Sequence, residues 1–228
     1  MKRLILVRHG ESMWNMENRF TGWTNVELSE KGIKEAKEAG QLLKKEGFMF
    51  DIAFSSVLKR ANDTLRYILK ELNQEDVETI YNYKLNERHY GALQGLNKAE
   101  TGEKYGSEQL KLWRRSVDTR PPAVDLNDER YPGNDEKYSD IPKEELPCTE
   151  NLRDTIKRVS DYYNAVMVDK ISKSDNVLIV AHGNSLRALI KYLDEISDEE
   201  VINLEIPTGK PLCYELDENL KPIKHYYL

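Results

Sequence analysis

Two short apolar runs, far apart in the chain, each end in the dipeptide His-Gly: LVRHG at 6–10 and IVAHG at 179–183. A compact apolar run that stops at glycine is typical of a buried strand ending in a sharp turn. Ligands of open α/β sheets bind at the carboxyl ends of the strands, so two neighbouring strands would bring both histidines to one pocket. Since the chain has only 4 histidines, this coincidence favours a functional role for His9 and His182 over two unrelated turn residues.

Strand and helix patterns alternate at both ends of the chain. The clearest helix begins after Ser29, a typical N-cap residue, and ends at Gly47. Short apolar runs predict strands at 3–7, 51–54, 77–81 and 177–181, and apolar residues at helical spacing predict further helices within 56–72, 152–166 and 185–193. This alternation predicts an α/β fold, a three-layer α/β/α arrangement with a mostly parallel central sheet.

A long polar segment, at about 84–147, separates the two alternating regions. It mixes charged and aromatic residues with Gly, Pro and Asp, and it has no lasting periodicity apart from a short predicted helix at 108–115. Its length suggests that it shapes a site. We therefore predict one domain over 1–228 with an irregular, site-shaping excursion at about 84–147.

The composition excludes several classes of protein. A formal net charge of -6 argues against a protein that coats nucleic acid, because phosphate backbones require a basic stripe. No apolar run approaches the length of a membrane span, and the run at 4–7 is too short for the core of a signal peptide. Cys148 and Cys213 lie far apart without metal-binding spacing, so we expect two plain thiols and a cytoplasmic protein.

The paired histidines suggest phosphoryl transfer. A neutral imidazole is a good nucleophile near neutral pH and passes a phosphoryl group on readily, which makes His9 the candidate nucleophile and His182 its partner. The transferring group needs several cations, and Arg8 beside His9 and Arg60 at the start of a helix can supply them. The backbone N–H groups at the start of the helix after His182 offer a further anion-binding site.

Proton transfer requires another group, and Glu87 is the candidate, because it lies in a mixed polar and aromatic stretch, KLNERHYG at 84–91. Neither a P-loop nor a histidine cluster with metal spacing is present, so neither ATP nor a metal ion is implied.

The sequence resembles the histidine phosphatase superfamily, because LVRHGES at 6–12 is followed far downstream by the His-Gly pair at 182–183. Further blocks resemble its 2,3-bisphosphoglycerate-dependent phosphoglycerate mutases. These blocks are RFTGWTNVELSEKG at 19–32, SSVLKRA at 55–61, LNERHYGALQGLNKAE at 85–100, WRR at 113–115, ERYPG at 129–133, AHGNSLRALIKYL at 181–193 and IPTG at 206–209.

The resemblance implies a phosphoglycerate mutase-like fold, a homodimer and the interconversion of 3-phosphoglycerate and 2-phosphoglycerate in glycolysis and gluconeogenesis. It implies that 2,3-bisphosphoglycerate phosphorylates His9 without a metal ion. The expected partners are small-molecule phosphoglycerates, with neither nucleic acid nor a membrane. The transferring phosphoryl group would be clamped by Arg8, Arg60 and His182, with Glu87 as proton donor and acceptor. Further contacts to the phosphoryl group would come from Asn15, Gly183 and Asn184. The carboxylate and the second phosphate would be bound by Thr21, Gly22, Tyr90, Lys98, Arg114 and Arg115.

Two other interpretations remain open. A phosphomonoester phosphatase of the same superfamily would use water as acceptor, and the lack of a small-residue-rich tail after Leu228, common in the mutases, would favour such hydrolysis. The excursion with Lys98, Arg114 and Arg115 argues against it, since a simple phosphatase has less need of a dedicated second anion site. A catalytically silent phosphate-binding protein would be expected to have lost His9, Glu87 or His182, and all three are present.

Overall fold

The computed structural model describes residues 2–228, which form a six-stranded mixed sheet in the order β3-β2-β4-β1-β5-β6. The strands are β1 Lys2–Arg8, β2 Ile52–Ser55, β3 Glu78–Tyr81, β4 Asn176–Ala181, β5 Leu212–Leu216 and β6 Pro222–Tyr227. The first four are parallel to one another, β5 is antiparallel to its neighbour β1, and the edge strand β6 is antiparallel to β5. The predicted α/β fold with a mostly parallel sheet is confirmed.

Nine α-helices occur in the described part of the chain. They are α1 Met13–Met16, α2 Glu30–Lys45, α3 Lys59–Leu72, α4 Lys98–Tyr105, α5 Ser107–Arg115, α6 Leu152–Tyr162, α7 Val168–Ser172, α8 Gly183–Asp194 and α9 Asp198–Asn203. A π-helical turn at Tyr163–Met167 joins α6 to α7, so the helix predicted at 152–166 extends to residue 172.

Helices cover both faces of the sheet because successive strand residues point to opposite sides. Leu4 and Leu6 of β1 pack in one apolar cluster with residues of α6 and α8, such as Val159 and Leu189. The alternate residues of β1 pack in a second cluster with residues of α2 and α3, among them Leu43. This arrangement gives the three layers that the alternating sequence pattern predicts.

The strands β1 and β4 lie side by side in parallel, with Arg8 opposite Ala181. His9 continues this pairing, because its N–H donates to the carbonyl oxygen of Ala181 at 3.0 Å. Both strands are buried along most of their length, which explains why each appears in the sequence as an uninterrupted apolar run. The two His-Gly dipeptides therefore leave the sheet next to each other.

Several elements differ from the sequence prediction. The segment 84–147 is less irregular than expected, because it contains both α4 and α5. Only Thr101 is buried in α4, so that helix lacks the apolar periodicity by which helices are recognised. The edge strand β6 is similarly exposed, and it was missed together with β5 and α9. The helix after His182 begins at Gly183, two residues earlier than predicted.

The rest of the polar segment packs against Trp23. Between residues 121 and 150 the chain forms short 3-10 turns, and its apolar side chains gather with Trp23 in a small cluster of their own. Cys148 and Cys213 are both free thiols. Over residues 2–228, no helix combines the length and the apolar character needed to cross a membrane.

Candidate active site

A cavity of about 170 Å³ opens at the carboxyl ends of β1 and β4. Every site residue predicted from the sequence lines it except His182, which is fully buried behind His9. The lining residues are Arg8, His9, Asn15, Arg19, Phe20, Thr21, Gly22, Arg60, Glu87, Tyr90, Lys98, Arg114, Arg115, Gly183, Asn184 and Arg187. Glu87 is the one carboxylate among them, so the cavity is strongly cationic.

The hydrogen bonds of His9 fix which ring nitrogen can react. Its Nδ1 lies 2.7 Å from the carbonyl oxygen of Gly10, which can only accept, so Nδ1 carries the proton. Nε2 then keeps its lone pair and accepts from Nε of Arg60 at 3.3 Å. Burial, together with the charges of Arg60 and Arg8, holds the pKa of His9 well below its ordinary value. The ring is therefore a neutral nucleophile at neutral pH.

The sharp turn after His9 depends on glycine. A Cβ atom on Gly10 would lie 2.2 Å from the carbonyl oxygen of Gly32, at the start of α2. The Gly10 N–H donates to Oγ1 of Thr64 in α3 at 3.0 Å, and the Thr64 hydroxyl donates to the carbonyl oxygen of Arg60. Thus α2 and α3 contact the turn after His9 from two sides.

Arg60 is held rigidly although it is almost fully buried, with 1% of its surface exposed. Nη2 and Nη1 donate to the carbonyl oxygens of Gly22 and Thr24 at 2.7 and 3.0 Å. Gly22 has a φ of +54°, in the left-handed region that favours glycine. Burial lowers the pKa of Arg60 to about 10, so the side chain stays charged beside His9 at neutral pH.

His182 is held from behind by Ser56, whose Oγ lies 2.7 Å from Nε2. The other ring nitrogen, Nδ1, is buried and has no hydrogen-bond partner among residues 2–228. Burial and the charge of Arg60 hold the pKa of His182 well below its ordinary value. The second histidine is therefore also neutral, and one of its nitrogens is unpaired.

Glu87 is tied to the first turn of α8. Its Oε1 accepts from the backbone N–H of Asn184 at 3.1 Å and from that of Arg88 at 2.8 Å. The helix N-terminus that we expected to hold an anion thus also binds this carboxylate in the structure. Both bonds use Oε1, so neither of them occupies Oε2.

Arg8 and Arg187 connect the cavity to the segment after α9. Arg8 donates from Nη1 to the carbonyl oxygen of Ile206 at 2.8 Å, and Arg187 donates from Nε to that of Leu204 at 2.8 Å. Nε of Arg8 is buried without a partner in the described chain. Sequence reasoning missed Arg187, although its position in α8, three residues after Asn184, places it on the same side of the helix.

A second group of cations lines the same cavity from α4 and α5. Arg114 and Arg115 come from the end of α5, and Lys98 begins α4. Burial and the charge of Arg114 lower the pKa of Lys98 to about 8. Thr21 adds a buried hydroxyl that has no partner anywhere in residues 2–228.

Two further predicted residues have partners that orient them toward the cavity. Asn15 accepts a hydrogen bond from the Ser12 N–H through its side-chain oxygen at 3.0 Å. The Tyr90 hydroxyl accepts from Nδ2 of Asn184 at 3.2 Å. In the chain from residue 2 onward, no three His, Cys, Asp or Glu side chains are grouped as metal ligands would be.

The sequence model of the histidine phosphatase superfamily (branch 1) matches residues 4–132 and 124–227 of the chain. These two ranges cover almost the whole sequence and include His9, Glu87 and His182.

Solved phosphatases share the fold. The α-ribazole phosphatase of Shigella flexneri matches with a TM-score of 0.73 at 21% identity, over 97% of this chain and 94% of that one. Mycobacterial glucosyl-3-phosphoglycerate phosphatase, solved with VO3, matches with a TM-score of 0.74 at 22% identity, over 100% of this chain and 97% of that one. A mutant phosphoserine phosphatase from Entamoeba histolytica, solved with phosphoserine, matches with a TM-score of 0.66 at 21% identity, over 100% and 95%.

Proposed function

The chain belongs to branch 1 of the histidine phosphatase superfamily, and we propose that within it the protein interconverts 3-phosphoglycerate and 2-phosphoglycerate, a step of glycolysis and gluconeogenesis. The observation that supports this proposal is the second group of cations, Lys98, Arg114 and Arg115, in the same cavity as His9. A simple phosphomonoester needs cations only around its transferring group. A phosphoglycerate presents a carboxylate as well, and a bisphosphoglycerate adds a second phosphate.

Three unpaired atoms in the cavity and directly beside it suit 2,3-bisphosphoglycerate as the ligand. Arg8 Nε, Thr21 Oγ1 and His182 Nδ1 are buried and lack partners among the described residues. Leaving a buried polar atom unpaired costs about 1–3 kcal/mol, so a ligand that bonds to all three recovers that energy. When bound, 2,3-bisphosphoglycerate supplies the phosphoryl group that primes His9.

In the first half of the reaction, Nε2 of His9 attacks the phosphorus atom and the ester P–O bond breaks. The departing oxygen takes a proton from Glu87. In the second half, the hydroxyl of the acceptor gives its proton to Glu87 while its oxygen attacks the phosphorus, and the P–N bond breaks to restore neutral His9.

The remaining residues act on charge and position. The three equatorial oxygens of the transferring group carry most of the charge in a loose transition state. Arg8 and Arg60 line the cavity and are held by backbone carbonyls, whereas His182 lies buried next to His9, is held by Ser56 and has an Nδ1 that is unpaired within residues 2–228. In this proposal all three side chains donate to the equatorial oxygens, and Arg60 Nε exchanges its bond to His9 Nε2 for one of them. Further donors in the cavity lining come from Asn15, Gly183 and Asn184.

A phosphomonoester phosphatase is the second candidate. The observation that favours it is that solved structures of the same fold are phosphatases for α-ribazole, glucosyl-3-phosphoglycerate and phosphoserine substrates. The same His9, Glu87 and His182 would serve, with water in place of the phosphoglycerate acceptor.

One experiment separates the two candidates. The purified chain is incubated with 2,3-bisphosphoglycerate and 3-phosphoglycerate, and 2-phosphoglycerate and free phosphate are followed together, with and without a chelator. Formation of 2-phosphoglycerate supports the mutase, whereas phosphate alone supports the phosphatase. Loss of activity in the presence of the chelator would contradict the metal-free mechanism. The His9→Ala variant, which lacks the proposed nucleophile, serves as the inactive control.

The proposed activity also implies the protein's binding partners, oligomeric state and cellular location. We expect phosphorylated small molecules as the partners, a homodimer in solution and a cytoplasmic location. Light scattering of the purified chain tests the dimer, and fractionation of cells tests the location.

A further inference from the structure

Arg158 and Glu150 form an ion pair that is almost completely buried, with 8% and 6% of their side chains exposed. Arg158 lies in α6, and Glu150 precedes that helix. Nε and Nη2 of Arg158 donate to the two carboxylate oxygens of Glu150 at 2.8 and 2.9 Å. Neither residue lines the active-site cavity, so neither is placed to touch a substrate.

The other bonds of Arg158 all go to one stretch of backbone. Its Nη1 and Nη2 donate to the carbonyl oxygens of Tyr83, Lys84, Asn86 and Glu87 at 2.7–3.3 Å. This stretch contains only a single 3-10 turn, so most of its carbonyl groups have no ladder of their own to join. The Arg158 guanidinium supplies hydrogen bonds to these carbonyl groups that a helix or sheet would otherwise supply.

Glu150 holds the chain just beyond Glu87. Its Oε2 accepts from the N–H of His89 at 2.8 Å, and its own N–H donates to the carbonyl oxygen of His89 at 2.8 Å. The indole N–H of Trp23 donates to the carbonyl oxygen of Glu87 from a third direction. The backbone on both sides of Glu87 is therefore fixed by side chains from distant parts of the sequence.

Stability alone does not account for this arrangement. A buried ion pair contributes little net stability, because the cost of removing two charges from water offsets their attraction, and apolar residues of similar size often serve as well. What apolar residues cannot do is bond to the carbonyls of Tyr83 to Glu87 and to the N–H of His89. The pair thus defines the path of this segment.

We propose that Glu150 and Arg158 are positioning residues for Glu87, holding its carboxyl group where it exchanges a proton with the substrate oxygen. This inference rests on the proposed function, in which Glu87 is the proton donor and acceptor. Proton transfer needs a heavy-atom distance of about 2.6–3.2 Å, so a small shift of the backbone at Glu87 is enough to weaken it.

The test compares two phosphoryl donors for His9. An alkoxide, as from 2,3-bisphosphoglycerate, must be protonated as it leaves, whereas 4-nitrophenolate leaves without help. In rapid-quench measurements of His9 phosphorylation, Arg158→Met should slow the reaction with 2,3-bisphosphoglycerate by about 100-fold. The rate with 4-nitrophenyl phosphate should stay within about threefold of the wild type, because the general acid is not needed there.

Two further variants separate positioning from general damage. Arg153→Met removes two ion pairs of α6, to Asp118 and Asp198, that do not touch the segment around Glu87, and it should leave both rates unchanged. In a Glu87→Gln background, Arg158→Met should cause no further loss with 2,3-bisphosphoglycerate, because the group that it positions is already gone.

Glu150→Gln keeps the shape of the side chain. If Arg158→Met does not fold, the same two phosphorylation rates measured on this variant test the positioning role. The amide would turn an NH₂ group toward Arg158 or toward the His89 N–H, so we expect the same selective loss, reduced in size. Equal losses with both donors, or none with either, would overturn the positioning role. If wild-type His9 is phosphorylated by neither donor, the proposed function itself fails and this inference falls with it.

Discussion

The imidazole rings of His9 and His182 lie 5.0 Å apart, centroid to centroid, with their planes tilted by 59°. The strand register produces this spacing, because Arg8 and Ala181 are paired and each histidine is the next residue along its strand. Nε2 of His9 is unprotonated and Nδ1 of His182 is unpaired, so one ring can attack a phosphorus atom while the other bonds to its oxygens.

Replacing the nucleophile should abolish transfer without unfolding the protein. For His9→Ala we expect no phosphoenzyme by intact-protein mass spectrometry after incubation with 2,3-bisphosphoglycerate, and a rate loss on the order of 10⁶, as for other enzymatic nucleophiles. His225→Ala, on the edge strand β6, is the matched control and should be phosphorylated normally. Full activity in His9→Ala would refute the phosphohistidine mechanism.

The Ser56 hydroxyl should matter through His182. Its Oγ accepts from the N–H of Leu58 at 3.1 Å, so its own hydrogen is free to bond to the imidazole. Ser56→Ala leaves the His182 ring without this partner, and we expect kcat to fall about tenfold, the equivalent of one net hydrogen bond. Ser55→Ala is the control, since the neighbouring serine bonds to the Val180 carbonyl instead. Equal losses of kcat in Ser56→Ala and Ser55→Ala would contradict a specific role of the Ser56 hydroxyl in holding His182.

Arg114 should act on binding rather than on chemistry. The side chain is exposed at the cavity mouth, so Arg114→Gln should not destabilise the fold. Loss of one charge-assisted bond of about 1.5–3 kcal/mol predicts a KM for 3-phosphoglycerate that is about 10- to 100-fold higher. Turnover of 4-nitrophenyl phosphate, which lacks a second anionic group, should not change. A loss shared equally by both substrates would argue against a second anion site.

The pH dependence of phosphoenzyme formation should reflect the neutral state of His9. A histidine with the ordinary pKa of about 6.5 would lose roughly three quarters of its neutral form by pH 6. Since burial and Arg60 hold the pKa of His9 well below that value, its neutral fraction stays near one. With 4-nitrophenyl phosphate we expect the single-turnover rate to change by less than about twofold between pH 8 and pH 6. A fall that follows a pKa near 6.5 would contradict the geometry around His9.

The parts of the fold that could be predicted are those whose local sequence pattern matches their burial. β1 and β4 are buried on both faces and appear as apolar runs, and α2 has a Ser29 cap and a buried stripe. α4 and β6 were missed because almost nothing in them is buried, so no apolar period marks them.

Site residues were predictable where a motif carries them, and were missed where only the tertiary fold does. His9 and His182 share a strand-end pattern that is visible in the sequence. Arg158, in contrast, reaches backbone carbonyls more than 70 positions earlier in the chain. No spacing rule connects residues so far apart.

His89 should make the stability of the protein depend on pH. Burial lowers its pKa to about 4, and the neutral ring accepts the Gly91 N–H at Nδ1 while Nε2 donates to the Arg130 carbonyl. Between pH 6.5 and 4 the unfolded chain therefore binds a proton that the folded protein does not, so the free energy of unfolding falls as the pH is lowered. The slope contributed by one such histidine is at most about 1.4 kcal/mol per pH unit, and the total is roughly 3 kcal/mol.

Urea unfolding of the wild type and of His89→Gln at pH 7, 6 and 5 measures this contribution. Glutamine does not titrate, so the variant is expected to be less stable at pH 7, with the difference from wild type narrowing by up to about 1 kcal/mol per unit as the pH falls. Leu146→Ala removes packing from the cluster around Trp23 but no titratable group, so its difference from wild type should stay constant with pH. If the His89→Gln difference is equally constant, the folded protein binds the proton at His89 and the ring is not held neutral.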